Sequence, residues 1–166
     1  MLIPAVVYKD EIIQYSNKLR YSTQMMYYNG CVETGPMNIE SESTEGRYQW
    51  AVVDDNNELV GYIGYAVDYF SGCVYGFGLI SFKNNKRAMS AGVLRAIKHI
   101  LSMHPHRVEW RCIGDNPALI GYKKIVDRIV KKNNFTDNVV VLHDTFKDAQ
   151  GVYHDCCIFE LLESRR

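Results

Sequence analysis

The hydrophobic period of this chain changes twice between residues 48 and 113, and those changes limit the kind of sheet it can build. Three runs, 48–53, 59–69 and 73–82, are rich in aromatic and β-branched residues. Turn chemistry separates them, first Asp54-Asp55-Asn56-Asn57 and then Ser71-Gly72. Three strands joined by tight turns predict an antiparallel meander. From residue 88 to 102 the period becomes helical, with Val93, Leu94, Ile97, Ile100 and Leu101 on one face and Pro105 beyond the end. Residues 107–113 return to a strand pattern. A strand, a crossing helix and a second strand predict one parallel pair inside a mostly antiparallel sheet.

The flanking segments complete this α/β (mixed α+β) reading. A short first strand precedes residues 9–28, where Ile12, Ile13, Leu19, Met25 and Met26 predict one or two helices. Residues 29–47 hold Gly30, Gly35, Pro36, Gly46, Glu40, Glu42 and Glu45 and read as a loop. Asp115-Asn116-Pro117 reads as a helix start, with Asp115 or Asn116 as N-cap and Pro117 at the first helical position. That helix runs to about Lys131. Strands at 138–142 and 152–162 then flank a Gly-containing turn at 147–151, a hairpin. The expected order is α-α-β-β-β-α-β-α-β-β after the short first strand.

At 166 residues the chain reads as a single domain, 1–166. Nineteen Lys+Arg balance nineteen Asp+Glu, and the pI is about 6.9, which argues against a nucleic-acid binder. No apolar run approaches the ~18 residues of a membrane span. Residues 1–7 are too short for a signal-peptide core and run directly into Lys9, Asp10 and Glu11. Cys31, Cys73, Cys112, Cys156 and Cys157 are odd in number and irregular in spacing, neither a disulfide framework nor a zinc pattern. Free thiols of this kind suit a reducing cytoplasm.

Chemistry concentrates in residues 79–94. A strand ends, the basic polar loop Lys83-Asn84-Asn85-Lys86-Arg87 follows, and a helix opens among Ala88, Ser90, Ala91 and Gly92. The first turn of a helix exposes unpaired N–H groups and partial positive charge, and small side chains let a phosphate approach. A diphosphate is the natural guest of such a site.

This segment resembles the acyl-CoA-binding motif of the GNAT superfamily of N-acetyltransferases. In that family an apolar-x-apolar strand end is followed, five residues on, by Gln or Arg opening Q/R-x-x-G-x-G/A. Here Ile80-Ser81-Phe82 is followed by Arg87, then Ser90 in place of the first glycine, then Gly92. Asp115-Asn116 closes the next strand, where the family often has Asn, and Tyr122 falls near the place of the family's catalytic Tyr, one residue closer to that Asn than usual.

The resemblance implies acetyl transfer from acetyl-CoA, bound as co-substrate and with no metal, to a primary amine. It implies that the parallel pair splays, and that backbone groups of Ile80 and Phe82 bind the pantetheine arm. Arg87, Ala88, Ser90, Ala91, Gly92 and Asn116 would complete the coenzyme site. Tyr122 would protonate the leaving thiolate, and a backbone N–H would hold the oxyanion. The base is not given by the family pattern, because Gly76, Phe77 and Gly78 stand where many members carry a Glu. Asp68 is the first candidate, with Glu109, His154 and ordered water as the others. Gly76 and Gly78 in one strand also predict a bulge or a close approach.

The acceptor, a small-molecule or protein amine, would lie among the 29–47 loop, the meander ends and the last hairpin, with Tyr27, Tyr28, Tyr69 and Tyr153 as lining candidates. Glu33, Glu40, Glu42 and Glu45 favour a cationic acceptor. Lys123, Lys124, Lys131 and Lys132 offer charge to a 3′-phosphate. The alternative is a CoA-binding or interaction module that has lost turnover. No nucleic-acid or membrane partner is expected, and the edge of the final hairpin can pair across a homodimer.

Overall fold

A computed structural model of the chain describes residues 1–29, 37–42 and 44–164; Cys31 and Glu33 lie outside the described residues. The strands are β1 (Leu2–Pro4), β2 (Arg47–Val53), β3 (Leu59–Asp68), β4 (Cys73–Ser81), β5 (Arg107–Ile113), β6 (Phe135–Lys147) and β7 (Tyr153–Glu163). The helices are α1 (Lys9–Lys18), α2 (Thr23–Asn29), α3 (Lys86–Ser102) and α4 (Leu119–Lys132), with a 3-10 turn at Ala5–Tyr8. The short first strand, the meander, both crossing elements and the final hairpin therefore form in the expected order. The second helix starts later than expected. Asn116 does not cap it: its Oδ1 accepts from the Ala118 N–H at 2.9 Å within a turn that also holds Pro117, while Ala118 is the N-cap and α4 begins at Leu119.

The strands form one sheet in the order β1-β2-β3-β4-β5-β7-β6. Every pairing is antiparallel except β4 with β5. One face packs on α3 and α4 through Val52, Val93, Ile100, Trp110, Val126 and Phe159. The other packs on α1 and α2 through Ile12, Met25, Ala51, Tyr62 and Ile80. α3 lies close on the sheet at Gly92, where an added Cβ would sit 3.0 Å from Val52 Cγ2 and 3.1 Å from Val52 Cγ1.

The parallel pair is short. β4 meets β5 only at Cys73 with Arg107 and Val74 with Val108, after which the two strands part. The cause is local to β4. Gly64 pairs with Gly78 but Ala66 pairs with Tyr75, so Gly76 and Phe77 together oppose Tyr65 alone. An extra residue on one strand bends it and increases its twist. Gly76 supplies the left-handed backbone this needs, at φ +64°. The bulge expected from the two glycines forms, and it turns the second half of β4 away from β5.

A Cβ at Gly76 would meet nothing within 4 Å, so substitution tests the backbone alone. We expect Gly76→Ala to lower stability by about 1–2 kcal/mol, the cost of a left-handed conformation with a Cβ. The reading is a lower urea midpoint at unchanged slope. An unchanged midpoint would mean that another residue holds the bulge.

Candidate functional site

The parting strands leave two lines of backbone groups without a ladder partner. On β4 the Phe82 N–H donates to the Val60 carbonyl of β3 at 2.7 Å. Hydrogen-bonding direction alternates along a strand, so Ile80 and Gly78 also face β3, while Leu79 and Ser81 face the opening. On β5 the Gly114 N–H donates to Asp155 and His106 accepts from Glu163, both at 2.9 Å. By the same alternation Glu109 and Arg111 face the opening. The expectation that Ile80 and Phe82 present free backbone groups is thus corrected by one residue. The apolar side chains on which the motif was read stand on a face of the sheet; the free amides belong to their neighbours.

The cleft between these lines is bounded by Tyr27, Tyr28, Leu79, Ser81, Asn116 and Tyr122. It continues past Gly76, Glu109 and Trp110. α2 forms one wall directly against the β4 backbone: a Cβ at Gly78 would lie 3.1 Å from Tyr28 Cε2. Gln24 of the same helix donates its side-chain amide to the Ser81 carbonyl. Beyond Tyr28 an open pocket is lined by Arg47, Gln49, Tyr62, Tyr75 and Gly76. Tyr62 accepts from Gln49 Nε2 at 3.1 Å and from the Tyr28 hydroxyl. Burial is the main reason both phenols resist ionisation.

At the same end of β4 stands the N-terminus of α3. Asn85 caps it, its side chain accepting from the Ala88 N–H at 3.1 Å, and the first intrahelical bond runs from the Met89 N–H to the Asn85 carbonyl. The Ala88 amide is therefore already used, and the Lys86 and Arg87 amides remain for a guest. Lys86, Arg87, Ser90 and Ala91 are exposed. Ser90 lies within α3 and is absent from the positive-φ residues, so its position does not demand a glycine. Gly92 was expected to touch a phosphate; instead it is buried against Val52 and Leu2, where it allows α3 close contact with the sheet.

Tyr122 is brought to the cleft. It is 8% exposed, packs 6.0 Å from the Trp110 ring centroid, and its hydroxyl has no hydrogen-bond partner among the described residues. Burial, with a smaller effect of Cys112, holds its phenol protonated. Asp68 is placed elsewhere. It sits where β4 and β5 still pair, and its carboxylate accepts from the Phe70 N–H at 2.9 Å and the Ser71 hydroxyl at 2.7 Å, anchoring the β3–β4 turn. Glu109 borders the cleft but is held by Arg107 at 2.6 Å, and Glu160 takes the other side of that guanidinium at 3.0 Å. Tyr27 and Tyr28 reach the cleft; Tyr69 instead meets Tyr48 at 2.5 Å, and Tyr153 lies exposed under Lys147. Glu40 is paired with Arg47 at 2.8 Å. Burial pushes the Cys112 thiol up to about 12, which removes it as a nucleophile.

The sequence matches no family model and no curated protein. Solved structures do match. The spermidine N-acetyltransferase of Vibrio cholerae in complex with CoA and spermine aligns over 98% of this chain and 95% of its own, with a TM-score of 0.68 at 14% identity. The ribosomal-protein-S18-alanine N-acetyltransferase of Escherichia coli covers 100% and 95%, with a TM-score of 0.63 at 11% identity. This is the GNAT fold. The manganese-bound spermidine/spermine N-acetyltransferase of Vibrio cholerae is similar over 72% of this chain and 67% of its own, with a TM-score of 0.56 at 18% identity. The GNAT resemblance read from residues 80–92 is thus met by the whole architecture, including the parted strand pair. No described helix is long and apolar enough to cross a membrane.

The loop after β5 is tied to the final hairpin by one histidine that the sequence offers only as a candidate base. His154 lies between two carboxylates, Nδ1 at 3.0 Å from Asp115 and Nε2 at 3.2 Å from Asp148. Both ring nitrogens donate only in the imidazolium. The hydrogen bond to Asp148, then the charge of Asp115, raises its pKa above the ordinary value. A group whose pKa is raised on folding stabilises fully below its unfolded value, about 6.5, and loses that contribution as pH rises through the folded value. We expect the stability gap between the wild type and His154→Gln to be widest at about pH 6 and to shrink as pH rises further. A gap that widens with pH would show that the ring is held neutral.

Proposed function

We propose that this protein transfers the acetyl group of acetyl-CoA to a primary amine by direct attack in a ternary complex. The observation that carries this is the pairing of two parted backbone edges, whose Ser81 carbonyl is taken by Gln24, with a helix N-terminus at the same end of one cleft. The residues present fit the coenzyme. Leu79 and Ser81 offer strand-like hydrogen bonds to an amide-bearing arm, an added pseudo-strand. The free Lys86 and Arg87 amides, their two cationic side chains and the exposed Ser90 suit a diphosphate. Asn116 borders the arm's path from the opposite side.

Acetyl-CoA held there supplies the thioester carbon that an amine attacks. The Leu79 N–H, which faces the opening, would serve as a fixed donor for negative charge on that carbonyl oxygen. The Tyr122 hydroxyl, unpartnered among the described residues and kept protonated, holds a proton for a departing thiolate. The cavity beyond Tyr28, rich in phenolic hydroxyls, receives the acceptor, and water carries away its proton. The chain's structural neighbours are described as acetylating spermidine or a ribosomal protein alanine. A polyamine or a protein amine is therefore the first class to screen, and a reduced cytoplasm is the setting that its free thiols suit.

A second reading, a CoA-binding module without turnover, is favoured by one observation. Glu109, the carboxylate bordering the cleft, is engaged by Arg107, and Asp68 caps a turn.

Calorimetric titration with CoA and acetyl-CoA tests the site, with Arg87→Glu alongside. We expect micromolar binding that the charge reversal weakens at least tenfold. In a thiol-release assay against an amine panel, Tyr122→Phe should lower kcat by about 100-fold or more, within the range of general acid catalysis, with KM for acetyl-CoA little changed. No binding at millimolar coenzyme would overturn the proposal. Binding without thiol release from any amine would establish the second reading.

A further inference from the structure

Where β4 and β5 part, a small cavity of about 30 Å³ lies on the α3 and α4 side of the sheet. Val108, the last β5 residue to pair with β4, lines it at the fork, with Phe77 of the bulge and Trp110 beyond. Ile97 of α3 and Tyr122 and Ile125 of α4 close it from the helices. Every side chain around it is apolar or aromatic. A space walled in this way offers water no partner and suits an apolar guest, and well-packed cores keep few such spaces.

The cavity and the cleft share walls. Phe77 and Tyr122 line both, and Trp110 borders the cavity and the continuation of the cleft. Tyr122 is the group that protonates the leaving sulfur, so the acyl carbon, one bond from that sulfur, lies beside the same ring. Ile125 follows Tyr122 by three residues and shares its face of α4. The acceptor pocket lies on the opposite, α2 face of the sheet, at Tyr28 and Tyr62. An amine arriving from that face leaves the cavity side of the fork to the acyl tail.

We propose that this cavity is an acyl subsite that takes a short acyl group longer than acetyl, propionyl or butyryl, delivered as its CoA thioester. The proposal rests on the coenzyme reading of the cleft. A water-sized group needs at least about 10–15 Å³ by this measure, so the cavity admits about two further carbons and not a fatty chain. In the transfer, the amine nitrogen bonds to the thioester carbonyl carbon, the C–S bond breaks, and its electron pair goes to sulfur. The sulfur takes the Tyr122 proton, and the proton that the nitrogen loses passes through water and restores the phenol. The products are the N-acyl amine and the CoA thiol.

Calorimetric titration of the full chain with CoA and its acetyl, propionyl, butyryl and hexanoyl thioesters tests this whatever the acceptor. Each buried methylene strengthens binding about fourfold, so butyryl-CoA is expected to bind about tenfold or more tighter than acetyl-CoA, and hexanoyl-CoA no tighter than butyryl-CoA. Ile125 is only partly buried, so both of its variants are expected to fold. Ile125→Trp fills the cavity from α4 and should cancel the gain for butyryl-CoA. Ile125→Ala enlarges it and should move the tightest binding to hexanoyl-CoA. Longer thioesters that bind no tighter than acetyl-CoA overturn this proposal and leave the coenzyme reading standing. Butyryl-CoA bound as tightly by Ile125→Trp as by the wild type also overturns it, because the tail then lies elsewhere. Binding of none of the thioesters overturns it together with the coenzyme reading.

Discussion

A single extra residue in β4 sets up most of what this molecule can do. Opposite Tyr65 the strand carries Gly76 and Phe77, and the left-handed Gly76 turns the remainder of β4 away from β5. Without that turn, the parallel pair would zip from Cys73 to Ser81 and satisfy its own backbone. With it, Leu79, Ser81, Glu109 and Arg111 are left facing a gap. A folded protein seldom leaves backbone groups unpaired unless water or a ligand takes them, so the gap is where the proposed coenzyme arm would bind.

The rest of the structure supports that gap. α2 lies on the outer face of β4 close enough that a Cβ at Gly78 would crowd the Tyr28 ring, and it delivers Gln24, Tyr27 and Tyr28 to the cleft. α3 is held on the sheet at Gly92 and so brings its first turn to the end of β4. His154, between Asp115 and Asp148, ties the loop after β5 to the final hairpin. The proposed site is built mainly from backbone groups and phenols, so it does not require a net positive charge on the chain. The positive potential is local, set by two free amides, Lys86 and Arg87.

Sequence legibility varied by level. The order of elements was readable because period and turn chemistry are local properties. The helix start after β4 was readable because the switch from strand to helical period and the small residues that follow it are local signals. The free backbone positions were not readable to the residue. Ile80 and Phe82 stand out by their apolar side chains, but hydrogen-bonding direction and side-chain direction are separate consequences of the pleat, and the ladder to β3 had already taken Phe82. Gly92 misled for a related reason, since a glycine in a helix serves close packing as readily as a ligand. Gln24 and Tyr62 carried no signal in the sequence, because their neighbours are fifty-seven and thirty-four residues away in chain, at Ser81 and Tyr28.

By itself the sequence determined a mixed sheet with one parallel pair, a glycine able to bulge β4, and a basic helix start after it. These come from residue types and spacing, which local physics reads directly. Only the tertiary structure decided which amides stay unpaired, that Asp68 closes a turn while Tyr122 reaches the cleft, and that β6 is left open along its length. Those outcomes depend on which strand lies beside which, and in what register, and the chain sets these only when distant segments meet.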